Sequence, residues 1–266
     1  MATRGSTTYA RSSRPPRGCN GVNGRAAGKY AGGVRGPLTI AVAQPRCAAK
    51  DVRANALEHA TVIRRVDARL VVFPELSLTG YELDAAPVSV DDGALAPIVE
   101  ACAEIGAVAL VGAPVAGENG NNIATLRVHA GGAEVGYRKS HLGGDEPHWF
   151  APGDGAVAID VDGWRVGLGI CKDTGVDAHV AGIAALGVDL YVAGLVHRPE
   201  ELEIQEERAA RIARACHAYV GFASFAGPTG GGYACTAGVS SIWAADGTVL
   251  ACAGTEPGDA ARLTLT

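Results

Sequence analysis

Apolar residues along this chain fall into two spacings. Short, mainly apolar runs, Leu38-Thr39-Ile40-Ala41-Val42-Ala43, Arg69-Leu70-Val71-Val72-Phe73, 107–115 and 189–196, read as buried strands. Between the first two, residues 51–68 repeat apolar groups at helical intervals (Val52, Ala56, Leu57, Ala60, Ile63, Val66), with Asp51 placed to cap the start. Further helices are expected near 91–105 and 178–186. The longest runs over 199–218, with Pro199 in its first turn and Glu207 and Arg211 as an i,i+4 pair. Alternating stretches joined by turn residues read as hairpins: 121–129 with 133–138 around Ala130-Gly131-Gly132, and 156–161 with 164–170 around Asp162-Gly163. Strands at 219–226, 237–244 and 248–252 close the chain, the last two joined at Asp246-Gly247. Mixed βαβ units and hairpins predict one α/β domain with mixed sheets over residues 37–266.

Composition sharpens this reading. The chain has 266 residues, 48% of them apolar and only 5% aromatic, which suits an α/β core rather than disorder. Residues 1–36 differ. They carry seven Arg and Lys and no acid, amid Gly, Ser and Pro, and read as a disordered basic leader with some likeness to a transit peptide. Removing those seven charges from the net −5 leaves the remaining domain at −12. Such a body offers no electrostatic footprint for nucleic acid. No apolar run approaches the roughly 20 residues of a membrane span. Seven scattered cysteines without a CxxC pair argue against a disulfide framework or structural zinc, and point to reduced thiols and a cytoplasmic setting.

The chemistry concentrates where strands end. Gly167-Leu168-Gly169-Ile170-Cys171-Lys172-Asp173 closes a buried run on a cysteine and leads through a turn into a helix. There a strand fixes a sulfur, and a helix N-terminus favours its thiolate. Read alone, Cys171 is better taken as a buried structural thiol. Glu75 and Lys139 also follow apolar strands, and strand ends gather at one edge of an α/β sheet. Alone, Glu75 reads as a capping or ion-paired acid, Lys139 as a surface lysine, and Glu146 as a solvated loop acid. Together, an acid, an ammonium and a thiol can run nucleophilic catalysis: the carboxylate takes the thiol proton, the thiolate attacks a planar carbon, and the ammonium stabilises the developing oxyanion. His197 ends a strand and reads either as pocket lining or as a surface loop residue. His141 reads as a packing or hydrogen-bonding residue rather than a catalyst, and Gly230-Gly231-Gly232 lacks the strand–helix setting of a phosphate loop.

The words around these residues fit a known family. Phe73-Pro74-Glu75-Leu76-Ser77-Leu78-Thr79-Gly80-Tyr81 resembles the glutamate motif of the nitrilase superfamily, the carbon–nitrogen hydrolases. Tyr137-Arg138-Lys139-Ser140-His141-Leu142 resembles its lysine motif and Gly169-Ile170-Cys171-Lys172-Asp173 its cysteine motif, in the family's order and spacing. Phe150-Ala151-Pro152-Gly153 and 237–242 with Asp246-Gly247 extend the likeness over about residues 37–266.

The resemblance implies a four-layer αββα sandwich with mixed sheets that pairs through its helices into an eight-layered homodimer or higher assembly. It implies hydrolysis of small amides, carbamoyl amines or nitriles by water, without metal or organic cofactor. It makes Glu75 the base, Lys139 the oxyanion stabiliser and Cys171 the nucleophile. Glu146 matches a second glutamate that orients Lys139 or the substrate. Tyr81, Lys172 and His197 are expected to support the site or meet substrate, and Lys172 would either favour the thiolate or greet an acidic substrate. The sequence departs from the family where Lys172-Asp173-Thr174-Gly175 lacks a later Phe-Pro-Glu, and at Ala215-Cys216-His217. The Cys-Trp-Glu run of true nitrilases is also missing. The expectation is therefore a hydrolase of a linear amide or N-carbamoyl compound, with acyl transfer to an amine, nitrile hydrolysis and a non-enzymatic partner as alternatives.

Overall fold

The first strand, β1 (Leu38–Ala43), is buried on both faces. Ile40 and Val42 enter one apolar cluster, Ala41 and Ala43 another. Double-sided burial is the reason such strands read as continuous apolar runs. The computed structural model describes residues 35–266, so the leader expected at 1–36 lies outside the described residues except for Arg35 and Gly36.

From β1 the chain runs through α1 (Val52–Val66), β2 (Leu70–Val72), α2 (Ala96–Ile105), β3 (Val108–Val115), β4 (Asn122–His129) and β5 (Gly132–Arg138). It continues with β6 (Val157–Val161), β7 (Trp164–Ile170), α3 (Asp177–Ala185), β8 (Leu190–Leu195), α4 (Leu202–Cys216) and β9 (Tyr219–Ser224). It ends with β10 (Ser241–Trp243), β11 (Val249–Cys252) and β12 (Ala260–Leu265). Two six-stranded sheets result, ordered β12-β1-β2-β3-β4-β5 and β11-β10-β9-β8-β7-β6. Each holds a parallel trio, β1-β2-β3 or β7-β8-β9, flanked by antiparallel strands.

Ile40, Val42, Leu70 and Val72 meet Val166, Leu168, Leu190 and Val192 in a core between the sheets. The outer face of the first sheet packs on α1 and α2 through Ala56, Ile63, Ile98 and Ala101. The outer face of the second packs on α3 and α4 through Val180, Ile183, Ala209 and Ile212. The layering is the expected αββα sandwich. Asp51 caps α1, its Oδ1 accepting the Ala54 N–H at 2.9 Å. No helix among the described residues is long and apolar enough to cross a membrane.

The differences from expectation are local. The strand expected at 237–244 shrinks to β10, preceded by a single bridge at Ala237. A closing strand that the apolar pattern did not announce, β12, pairs antiparallel with β1. The Glu207–Arg211 pair does not form. Arg211 turns instead to Asp177 and to the Thr174 carbonyl, whose oxygen accepts from Nη2 at 2.7 Å. Among the described cysteines, Cys47, Cys102, Cys171, Cys216 and Cys235 are free, whereas Cys252 is disulfide-bonded, an exception to the reduced-thiol reading.

Two glycines decide where the Glu75 segment lies. A Cβ at Gly112 on β3 would stand 2.3 Å from the Pro74 oxygen, and one at Gly194 on β8 would stand 2.7 Å from the Glu75 nitrogen. Both sheets therefore pinch the segment after β2, and only glycine permits the approach. Gly112→Ala or Gly194→Ala is expected to destabilise the fold by about 1–3 kcal/mol and to cut activity by displacing Glu75. Chemical denaturation and turnover on the same samples check this.

Candidate active site

Each candidate residue follows a strand of the same sandwich: Glu75 after β2, Lys139 after β5, Cys171 after β7. Lys139 is fully buried, an expensive position for an ammonium unless carboxylates surround it. They do. Its Nζ donates to Glu75 Oε1 at 2.6 Å and to both oxygens of Glu146 at 2.7 Å. Burial alone would lower the Lys139 pKa, but Glu75, Cys171 and Glu146 outweigh it and hold the amine charged.

The two acids are not equivalent. Glu146 also accepts the Tyr81 hydroxyl at 3.0 Å and the Gly143 N–H at 2.7 Å, so both its oxygens are spoken for. Burial pushes the Tyr81 phenol well up, which keeps it a donor. Glu75 uses only Oε1. Its Oε2 is buried without a hydrogen-bond partner among the described residues. Burial raises the Glu75 pKa well above the usual carboxylate range against the pull of Lys139, and the nearby Cys171 and Glu146 add to the rise. A carboxyl in that condition accepts a proton readily and holds it.

Cys171 does not open a long helix. It starts a single 3₁₀ turn, Cys171–Gly175, before α3 begins, and it holds φ at +36°. A non-glycine residue rarely takes such a backbone, and strain of this kind clusters at functional sites. Its Sγ lies 3.6 Å from the Val196 carbonyl oxygen, and the residue is half-buried. The elbow is held by Asp173, which sequence reasoning noted only as a family match. Asp173 Oδ2 accepts the Ile170 N–H and the Tyr137 hydroxyl, and Oδ1 accepts the His141 N–H and faces His141 Nδ1 at 2.9 Å. Tyr137 and His141 flank Lys139, so one buried carboxylate ties the lysine segment to the cysteine elbow. No single run of residues could have shown this, because the donors, Ile170 on one side and Tyr137 and His141 on the other, come from two separate segments.

Lys139, Glu146 and Cys171 border one cavity of about 370 Å³, together with Tyr81, Lys172 and His197. Glu75 stands behind Lys139, fully buried. All seven residues singled out from the sequence thus meet in or directly behind one cavity. A larger groove of about 530 Å³ beside Arg138 and Asp154 contains none of them, so chemistry rather than size marks the site. Lys172 is exposed at the mouth, with its stem against Gly143. Arg198, over the Tyr233 ring at 4.7 Å, and Arg208 also line this mouth, which sequence reasoning did not pick out.

Residues 39–261 match the family model described as carbon-nitrogen hydrolase. A curated relative from Pseudomonas protegens, named Hydrolase in pqqF 5'region, is 31% identical over 235 residues, covering 83% of this chain and 81% of that protein. Among solved structures, Saccharomyces cerevisiae Nit3, a member of branch 10 of the nitrilase superfamily, superposes with a TM-score of 0.76 at 20% identity, covering 86% of this chain and 90% of its own. A mutant of an amidase of the same superfamily from Nesterenkonia AN1 gives 0.77 at 23%, covering 86% and 92%. Another mutant of that amidase, in complex with butyramide, gives 0.74 at 23%, covering 86% and 90%. With the fold of the nitrilase superfamily and a family match across most of its length, this chain belongs to the carbon–nitrogen hydrolases.

Proposed function

We propose that the protein is a thiol amidohydrolase that cleaves the C–N bond of a small linear amide or N-carbamoyl compound. The observation that carries this reading is the unpaired Oε2 of Glu75 beside a buried, charged Lys139, at a cavity that Cys171 lines. Glu75 takes the proton of Cys171. The thiolate attacks the carbonyl carbon, forming the C–S bond. Negative charge moves to the carbonyl oxygen, where the Lys139 ammonium and the Lys172 backbone N–H stabilise it. As the tetrahedral species collapses, the C–N bond breaks and Glu75 gives its proton to the departing nitrogen. Water then yields a proton to Glu75 and attacks the thioester, releasing the acid and restoring the thiol.

The hydrogen-bond inventory separates the roles of the two glutamates. Glu146, accepting four hydrogen bonds on its two oxygens, anchors Lys139, while Glu75 keeps a free lone pair for proton transfer. Because Glu75 must be ionised to act as base and its pKa is raised, kcat/KM is expected to fall as pH drops through a value above the ordinary glutamate range. Glu75→Gln is expected to lose about 10²–10⁴-fold in kcat and to lose that acid limb as well. A pH–rate profile on both proteins checks this, and an unchanged acid limb in the variant would assign it to another group.

The mouth supports a preference within the amide class. Lys172, Arg198 and Arg208 make no ion pair among the described residues, against Asp145 and Glu201 on the same wall. Glu201 Oε2 is already engaged, accepting the Arg198 N–H at 2.8 Å. A carboxylate-bearing amide therefore suits this site better than a cationic one. An ammonia-release screen over carbamoyl compounds, dicarboxylic monoamides and aliphatic amides tests the whole reading. Turnover that depends on Cys171 supports it. Ammonia release at full rate in Cys171→Ala defeats it.

A further inference from the structure

His197 borders the cavity from a position held by three linked hydrogen bonds. The chain of bonds starts at Val239, a β-branched residue with φ at +51°, where such side chains are rare. The Val239 carbonyl oxygen accepts from Gln205 Nε2 at 3.3 Å and from the Ser241 hydroxyl at 2.8 Å. Because the carboxamide NH₂ of Gln205 is used there, its Oε1 is the atom that faces His197 Nδ1, at 3.2 Å. An oxygen in that place can only accept, so Nδ1 carries the proton. A neutral ring protonated on Nδ1 leaves a lone pair on Nε2. Gln205 is fully buried and His197 nearly so, so solvent cannot easily scramble this order. The peptide before His197 supplies the carbonyl of Val196, which lies 3.6 Å from the Cys171 sulfur. His197 Nε2 has no protein partner among the described residues, while the ring lines the cavity.

We propose that His197 Nε2 accepts a hydrogen bond from an N–H of the scissile amide nitrogen, and so selects amides over the esters of the same acyl group. The inference rests on the amidohydrolase reading and adds a specificity determinant to it. An amide nitrogen offers N–H donors, whereas an ester oxygen at the same place offers a lone pair that would oppose that of Nε2. Sites that hydrogen-bond one substrate atom reject an analogue that cannot complete the bond. Burial keeps the ring neutral by lowering its pKa. Of the charged groups around it, Arg208 acts in the same direction, and Glu201 and Glu75 act against it, as does the bond to Gln205. Gln205 is the positioning residue: it never reaches substrate and works by fixing which nitrogen of the ring is bare.

The test compares kcat/KM for butyramide, or a faster amide from the screen above, with that for the methyl ester of the same acid. His197→Phe fills the same space without an acceptor. It is expected to lower amide turnover roughly tenfold or more while leaving the ester within about twofold. His197→Gln, which can again offer an oxygen, is expected to recover part of the amide rate. Gln205→Leu is expected to lower the amide-to-ester ratio by a smaller factor. Equal losses on amide and ester in both His197 variants would make the residue structural and overturn the inference, as would an unaltered ratio. If the wild-type protein neither turns over an amide nor forms an acyl adduct at Cys171, the amidohydrolase reading itself has failed, and this inference falls with it.

Discussion

Cys171→Ala is expected to lower kcat/KM by at least about 10⁴-fold, because removing the nucleophile of a residue set that acts as a unit costs about as much as removing the set. The fold should survive. Cys171 is half-buried and its sulfur makes one weak hydrogen bond, to the Val196 carbonyl, whereas the elbow is held through Asp173 and through the Thr174 hydroxyl, which donates to the Cys171 carbonyl at 2.6 Å. Alanine keeps those backbone bonds. Substrate affinity should therefore persist while chemistry stops, and equilibrium binding of a slow amide to the variant would show the split. Cys216 and Cys102 cannot stand in. Each is pushed up to about 11 by burial, which keeps it a protonated thiol, and neither lines the cavity.

Lys139→Met is expected to have the largest effect on the fold itself. The substitution matches the length of the side chain but removes the one cation between Glu75 and Glu146. Breaking a buried ion pair from one side typically costs about 3–5 kcal/mol, since it strands charge that was bought out of water only by its partner. The sign of the pH dependence follows. Glu75 already sits above the ordinary carboxylate range, and without Lys139 it moves further up. A carboxyl whose folded-state pKa is raised favours the fold below its unfolded value and loses that contribution as pH rises through the folded value. The stability gap between wild type and Lys139→Met is thus expected to widen from about pH 5 to pH 8. Denaturation at several pH values would show it, and a gap that narrows with rising pH would mean that Glu75 does not depend on Lys139 for its charge.

The element order was legible because most strands here are buried on both faces. The runs 38–43, 107–115 and 189–196 are almost wholly apolar, and the observed strands end within a residue or two of them. β12 escaped because it is an edge strand with Arg262 and Thr264 turned outward, and its partner β1 lies more than 200 residues earlier. The positions of Glu75, Lys139 and Cys171 were visible as polar residues directly after such runs. What no spacing could reveal was contact across the sandwich. The role of Gly112 and Gly194 needs both sheets in place. The four bonds of Asp173 tie the end of β7 to β5 and the turn that follows it, and the relay from Val239 to His197 runs through a helix whose neighbours in sequence say nothing of it. Arg211 shows the converse: ideal i,i+4 spacing lost to a better partner on the preceding helix.

The central claim is that an acyl group passes through the sulfur of Cys171. Acid quenching of the protein during turnover of an amide, followed by peptide mass mapping, addresses it without intermediaries. One acyl adduct, of the mass of the amide less its ammonia, is expected on the peptide carrying Cys171 and on no other. Steady turnover with that peptide unmodified at every quench time, and equal turnover in Cys171→Ala, would contradict it.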